Sequence, residues 1–175
     1  MRYCRLRVNE GKSAVASPTK RKFLGYSFYY KNGTYRLRVH PKSLNRLKDK
    51  VREVTNRNVS MNFETRLKKL IEKTRGWVNY FKLADMSKSL KEMDGWIRRR
   101  LRACIWKTWK KIRTRFTSLN KLGIDRNKAW EFANTRKGYW RISNSPIMQR
   151  SITNERLEKR GYVSMSTMYK KVILA

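Results

Sequence analysis

Residues 94–116, DGWIRRRLRACIWKTWKKIRTRF, gather nine arginines and lysines and three tryptophans in a run without proline. These residue types suit nucleic acid, because a guanidinium grips phosphate with a planar fork and an exposed indole stacks on an unpaired base. On a helical wheel, Leu101, Cys104, Ile105, Thr108, Trp109, Ile112 and Phe116 share one apolar arc with Ile97. Arg99, Arg100, Arg102, Lys107, Lys110, Lys111 and Arg113 fall opposite, Arg98 lies at the margin, and Trp96 and Trp106 fall inside the basic arc. In an ordinary domain such a face is solvated and its indoles cover a neighbouring element. This stretch holds no glutamate to pair its cations along the helix, so repulsion is left unrelieved. The expected phosphate clamps are therefore Arg98, Arg99, Arg100, Arg102, Lys107, Lys110, Lys111, Arg113 and Arg115, with Trp106 and Trp96 as stacking platforms.

Further basic clusters extend the footprint: Lys20-Arg21-Lys22, Lys68-Lys69 with Lys73 and Arg75, and Arg156 to Arg160. Arg136, Lys137, Tyr139, Trp140 and Arg141 alternate cations and aromatics across Gly138, an RNA-binding pattern whose alternative is a buried Tyr–Trp hinge. The groups that could do covalent chemistry are sparse. Cys4 and Cys104, with only His40 to help, cannot complete a zinc site, and both are expected as free thiols. Asp49, Asp85, Asp94 and Asp125 are isolated, and Glu92 and Asp94, two apart, point away from each other on a helix. No catalytic residue and no metal ligand is expected, and His40 reads as a hairpin or surface residue.

The charge balance agrees, since 45 basic against 12 acidic side chains leave a formal charge of +33. A body so charged repels itself until a polyanion replaces its small counterions. No apolar run approaches the roughly 18 residues of a spanning helix, so a soluble, cytoplasmic protein is expected, not one held in a membrane. Binding of a membrane surface or a calmodulin-like groove by the basic helix would expose the apolar face that a bundle buries.

The elements that must position these residues follow from periodicity. Phe23 to Tyr30 meets Thr34 to Val39 across Lys31-Asn32-Gly33, which predicts a β-hairpin that must lean on another element. Pro41 opens a helix with Leu44, Leu47, Val51 and Val54 on one face; Asn56-Arg57-Asn58 interrupts. Ser60 or Asn62 caps a second helix carrying Leu67, Leu70, Ile71, Trp77, Val78 and Phe81. A break near Ala84 to Ser87 precedes a third, running from Leu90 through Ile112. Shorter elements follow: Asp125 caps Arg126 to Lys137, Gly138 stands as a left-handed C-terminal residue, Ser145-Pro146 and Thr153 open short helices, Gly161 ends one, and Met165 to Val172 form the last. The fold class is mainly α, a three-helix bundle preceded by a short β-hairpin and followed by a small module of short helices.

Four ordered motifs carry a family resemblance: Arg21-Lys22-Phe23-Leu24-Gly25-Tyr26, Arg75-Gly76-Trp77-Val78-Asn79-Tyr80-Phe81, Asp94-Gly95-Trp96-Ile97-Arg98-Arg99-Arg100-Leu101-Arg102 and Gly138-Tyr139-Trp140-Arg141-Ile142-Ser143. They resemble the C-terminal half of bacterial group II intron reverse transcriptase/maturases, over nearly the whole chain. The resemblance implies a palm-tail remnant over residues 1–40, including Val8 to Ser13, a thumb or maturase X bundle over 41–115, and a maturase-specific, DNA-binding-like module over 116–175. It implies group II intron RNA as partner, admits target DNA and a separate fingers/palm polypeptide, and assigns no cofactor to this chain, Mg2+ being expected on the bound RNA. The palm carboxylates, including a Tyr-Ala-Asp-Asp motif, are missing here, so two-metal nucleotidyl transfer by this chain alone is not expected. The reading at this level is an RNA-binding maturase-type protein that assists splicing. The alternatives are the C-terminal part of a split reverse transcriptase and a general nucleic-acid-binding protein.

Overall fold

A two-residue hairpin loop follows the twist of its strands only if both loop residues take positive φ. Asn32 and Gly33 do so, at 51° and 75°. They join strand β1 (Tyr26–Lys31) to strand β2 (Thr34–Val39) in antiparallel register from Tyr26↔Val39 to Lys31↔Thr34. This is a computed structural model that describes residues 17–174, so Cys4 and the stretch Val8 to Ser13 lie outside the described residues. No further strand joins the hairpin among the described residues.

Helices support the hairpin instead. The Gly25 carbonyl accepts from His40 N–H at 2.9 Å and from the Ser43 hydroxyl at 3.0 Å. The Leu37 carbonyl accepts from Asp85 N–H at 2.8 Å, and the Asp85 carboxylate accepts from the Tyr29 hydroxyl at 2.6 Å and lies 3.5 Å from Arg36. Gly25 sits at φ 90°, and a Cβ there would stand 2.9 Å from the Phe81 ring. Both the backbone conformation and the close approach demand glycine.

Helix α1 (Pro41–Val54) starts on proline, and its cap is His40, whose Nδ1 accepts from Lys42 N–H at 3.1 Å. Capping by the neutral imidazole gives His40 a defined role at this hairpin-to-helix junction. Desolvation, aided by Lys22, Lys42 and Arg38, holds its pKa below the ordinary value. The unfolded chain therefore takes up the proton first, near pH 6.5. The cap's contribution is full above that pH and is lost as pH falls through the lower folded value. Thermal melting should accordingly move to lower temperature between about pH 7 and 5, and His40→Asn, which caps without titrating in this range, should flatten that part of the profile.

Helix α2 (Phe63–Tyr80) is capped by Asn62, whose side chain accepts from Glu64 N–H at 3.1 Å. It buries Leu67, Leu70, Thr74 and Val78 against α1. Helix α3 (Ser87–Thr108) runs through the middle, burying Leu90, Met93, Ile97, Leu101, Cys104 and Ile105. The following helices are α4 (Ile112–Lys121), α5 (Arg126–Ala133), α6 (Tyr139–Ile142), α7 (Pro146–Ser151), α8 (Asn154–Lys159) and α9 (Met165–Leu174). One apolar cluster runs from Val39 to Tyr169, because α9 packs back on α2 and α3. The chain is mainly helical, with the hairpin on its N-terminal side.

Asp94 fixes that return. Buried at 2% exposure, it sits at the start of α9, accepting from Met165 N–H at 2.8 Å and Ser166 N–H at 3.0 Å. The Ser166 hydroxyl at 2.6 Å and the Tyr162 hydroxyl at 3.1 Å complete its shell. A carboxylate supplied from another helix thus caps α9 and meets the positive end of its dipole. Burial first, and the Asp94 charge second, push the Tyr162 phenol far up from its ordinary pKa.

Three expectations are corrected. The third helix stops at Thr108, and a Trp109-Lys110-Lys111 link turns the chain before α4. Ile112, assigned to the apolar arc, consequently stands 45% exposed. Helix α5 ends at Ala133, short of Lys137, and Gly138 has φ −59° and caps the start of α6, so it is not a left-handed terminus.

Candidate nucleic-acid interface

The candidate interface is built where α1 ends. An α-helix leaves its last carbonyls unpaired, and here a buried guanidinium takes the last one of α1 together with two carbonyls of the link that follows. Arg66 of α2 donates to the Val54 and Asn56 carbonyls, the latter at 2.9 Å, and to the Val59 carbonyl at 3.0 Å. That grip shapes the α1–α2 link, residues 55–62, into one wall of a groove. The second half of α3 forms the other wall.

Two recesses meet at Arg57. One, of about 370 Å3, lies between Arg57, Asn58 and Ser60 on the link and Cys104, Lys107 and Lys110 opposite. The other, of about 250 Å3, is lined by Thr55, Arg57, Arg100, Ala103 and Trp140. Among the described residues no carboxylate lines either recess. The Tyr139 ring lies between Arg57 at 5.3 Å and Lys107 at 5.0 Å, and the Arg99 guanidinium stacks 3.9 Å over Trp140. Cations held on aromatic faces keep their charge while losing side-chain freedom.

Arg100 is half-buried, donating to the Thr55 hydroxyl at 2.5 Å. Burial, with the like charges of Arg52 and Arg57 adding to it, holds its pKa below the ordinary arginine value. Cations line the groove and no carboxylate does among the described residues, a lining that favours an anion. Cys104 is a free, buried thiol whose pKa is pushed up by burial, and it donates to the Thr55 carbonyl at 3.3 Å.

The residues expected from sequence distribute unevenly. Arg99, Arg100, Lys107, Lys110, Tyr139 and Trp140 gather at the groove. Lys111 and Arg113 are exposed at the start of α4, and Arg136, Lys137 and Arg141 are exposed around Gly138. Arg98 and Arg102 line a separate recess. Lys20, Arg21 and Lys22 lie at the hairpin end, where Lys22 shares a hollow with Arg46 and Lys50.

The stacking assignments change most. Trp106 is 1% exposed, enclosed by Trp109 at 5.6 Å between ring centroids and by the Arg115 guanidinium at 4.9 Å, so it is a core residue and not a platform. Arg115 is committed to the same join, donating to the Trp109 carbonyl at 3.0 Å and the Ala133 carbonyl at 3.4 Å. Trp96 is half-buried with Arg52 and Arg100 on its ring at 5.7 and 5.2 Å. The indole presented beside the groove is Trp140, at 38% exposure. Sequence reasoning missed Arg57 and Arg66; the signal for Arg57 is the Asn56-Arg57-Asn58 interruption, and nothing local marks Arg66.

The four aspartates have structural partners. Asp49 pairs with Arg52 at 2.6 Å, Asp85 holds the hairpin, Asp94 holds α9, and Asp125 caps α5 by accepting from Asn127 and Lys128 N–H. Among the described residues no three His, Cys, Asp or Glu side chains gather in one place, and no helix is long and apolar enough to cross a membrane.

Residues 44–123 match the family described as group II intron, maturase-specific domain, consistent with the C-terminal region of a group II intron maturase. The match runs from the first turn of α1 to just past the end of α4, and so contains both walls of the groove. No curated protein matches the chain.

Proposed function

Starting from a segment similar to a maturase-specific domain, we propose that this protein binds structured group II intron RNA and assists its splicing by stabilising the active RNA shape. The observation that carries the reading is the groove around Arg57, Arg100, Lys107 and Lys110, four cations inside the matched segment with no carboxylate beside them among the described residues, edged by Tyr139 and Trp140 from beyond it. In this reading lysines and arginines track the phosphates, and Trp140 offers its exposed face to an unpaired base. The bond-making chemistry belongs to the RNA and its magnesium ions. The protein contributes differential affinity, favouring the reactive RNA conformation over looser ones.

A general polyanion binder would hold any duplex equally well. Competition between folded group II intron RNA and an unrelated duplex of equal length separates the two, and equal affinities would reject the maturase reading. Replacing Arg57, Lys107 and Lys110 together with alanine should lower the slope of log affinity against log salt by about 2 to 3, since each lost phosphate contact frees about one counterion fewer. A slope unchanged from the wild type would remove the groove from the interface.

A second reading rests on the hairpin, whose two strands pair only with each other among the described residues. In that reading a fingers/palm polypeptide supplies the missing sheet. Primer extension appearing only when the two polypeptides are mixed would support it.

A further inference from the structure

On a helix, Arg98 and Arg102 stand one turn apart on the same side, while Arg100 lies two residues, about 200°, away from each. The recess that Arg98 and Arg102 line therefore opens on the flank of α3 away from the Arg100 groove. Its volume is about 450 Å3, and its far wall is Asn144, Gln149, Thr153 and Asn154, contributed by the segment from α6 to α8. No carboxylate lines it among the described residues.

Arg102 is 8% exposed, with Nε donating to the Ile152 carbonyl at 2.9 Å and Nη2 to Asn154 Oδ1 at 3.2 Å. Those bonds orient the guanidinium without neutralising it. Burial, with the Arg98 charge adding to it, holds its pKa below the ordinary value. A buried cation is ordinarily compensated by a paired anion, and two guanidiniums one turn apart repel until an anion joins them. The opposite wall has different chemistry. Gln149 Nε2 donates to the Asn144 backbone carbonyl at 3.1 Å, and carboxamides present donor and acceptor side by side, the pattern found on base edges.

We propose that this recess is a second RNA subsite that seats one unpaired nucleotide, its phosphate on Arg98 and Arg102 and its base edge on the carboxamides of Asn144 and Gln149. It rests on the RNA-binding reading above and extends it, because α3 then separates two RNA segments, one on each flank.

The test counts bound oligoribonucleotides on the full chain. Hexamers of adenosine, cytidine and uridine are titrated by calorimetry at elevated salt, where contacts to phosphate alone are weakened. The wild type should bind two hexamers, and Arg98→Gln only one. The Arg57/Lys107/Lys110 alanine variant should also bind one, at the recess that remains. Gln149→Ala with Asn144→Ala, both exposed positions, should bring the affinities for the three hexamers together, because the phosphate contact survives and the base reading does not. Melting curves of each variant check that the fold is retained. A single hexamer on the wild type that Arg98→Gln still binds, two on Arg98→Gln, or an undiminished base preference without the carboxamides would each overturn the subsite. These outcomes leave the groove reading intact; that reading fails separately, if folded intron RNA holds no advantage over unrelated duplex.

Discussion

Trp106→Ala is expected to destabilise the protein by about 3–5 kcal/mol, the cost of emptying a large core position. The side chain is 1% exposed and is packed by Trp109 and Arg115, so its loss opens a cavity where α3, the link and α4 meet. Urea denaturation measures it directly. Affinity for intron RNA, taken well below the melting temperature, should change only a few-fold, whereas Trp140→Ala should do the reverse: little change in stability, and weaker binding by roughly 1–3 kcal/mol if a base stacks there. A stable Trp106→Ala protein with lost RNA affinity would return that indole to the interface.

Asp94→Ala should be comparably damaging. It strands Tyr162, two backbone N–H groups of α9 and the Ser166 hydroxyl, and each orphaned buried donor costs about 1–3 kcal/mol. A total above about 3 kcal/mol is expected, with partial recovery in Asp94→Asn, which keeps an acceptor oxygen. Glu92→Ala, at an exposed position on the same helix, is the control and should be near neutral. Equal stabilities of the Glu92 and Asp94 variants would mean that the α9 cap contributes nothing.

Local chemistry makes much of the fold legible in the sequence. Asn32-Gly33 fixes the hairpin turn through positive φ, Pro41 opens α1, and Asn62, Asp125, Ser145 and Thr153 each cap the helix that follows them. What escaped depends on partners distant in sequence. The helical period continues through Trp109, so nothing local marks the break; Arg115 reaches back to the Trp109 carbonyl and secures the turn. Trp106 fell in a basic arc by angle alone, and angle carries no information about the neighbouring turn that covers it. Asp94 read as an isolated carboxylate because its donors lie 68 to 72 residues away.

The basic stretch was legible as a binding surface only in outline. Its cations divide between two flanks of α3, the link after Thr108 and α4, and several are occupied inside the protein: Arg102 on Ile152, Arg115 on Trp109 and Ala133, Arg100 on Thr55. Composition registers charge but not commitment. Arg57, in a short interruption between helices, is free of such duty among the described residues beyond its contact with Tyr139, and it joins both recesses of the groove.

The reach of the Asp94 clasp also sets an order of events during translation. Once Asp94 is made, 68 to 72 further residues must follow before its donors exist, a wait of roughly 4 to 14 seconds at about 5–20 residues per second. Throughout that interval water alone donates to Asp94, and the apolar flank of α3 that α9 covers stays exposed. A ribosome that stalls anywhere between residues 123 and 162 would leave the whole matched segment synthesised and still unable to close.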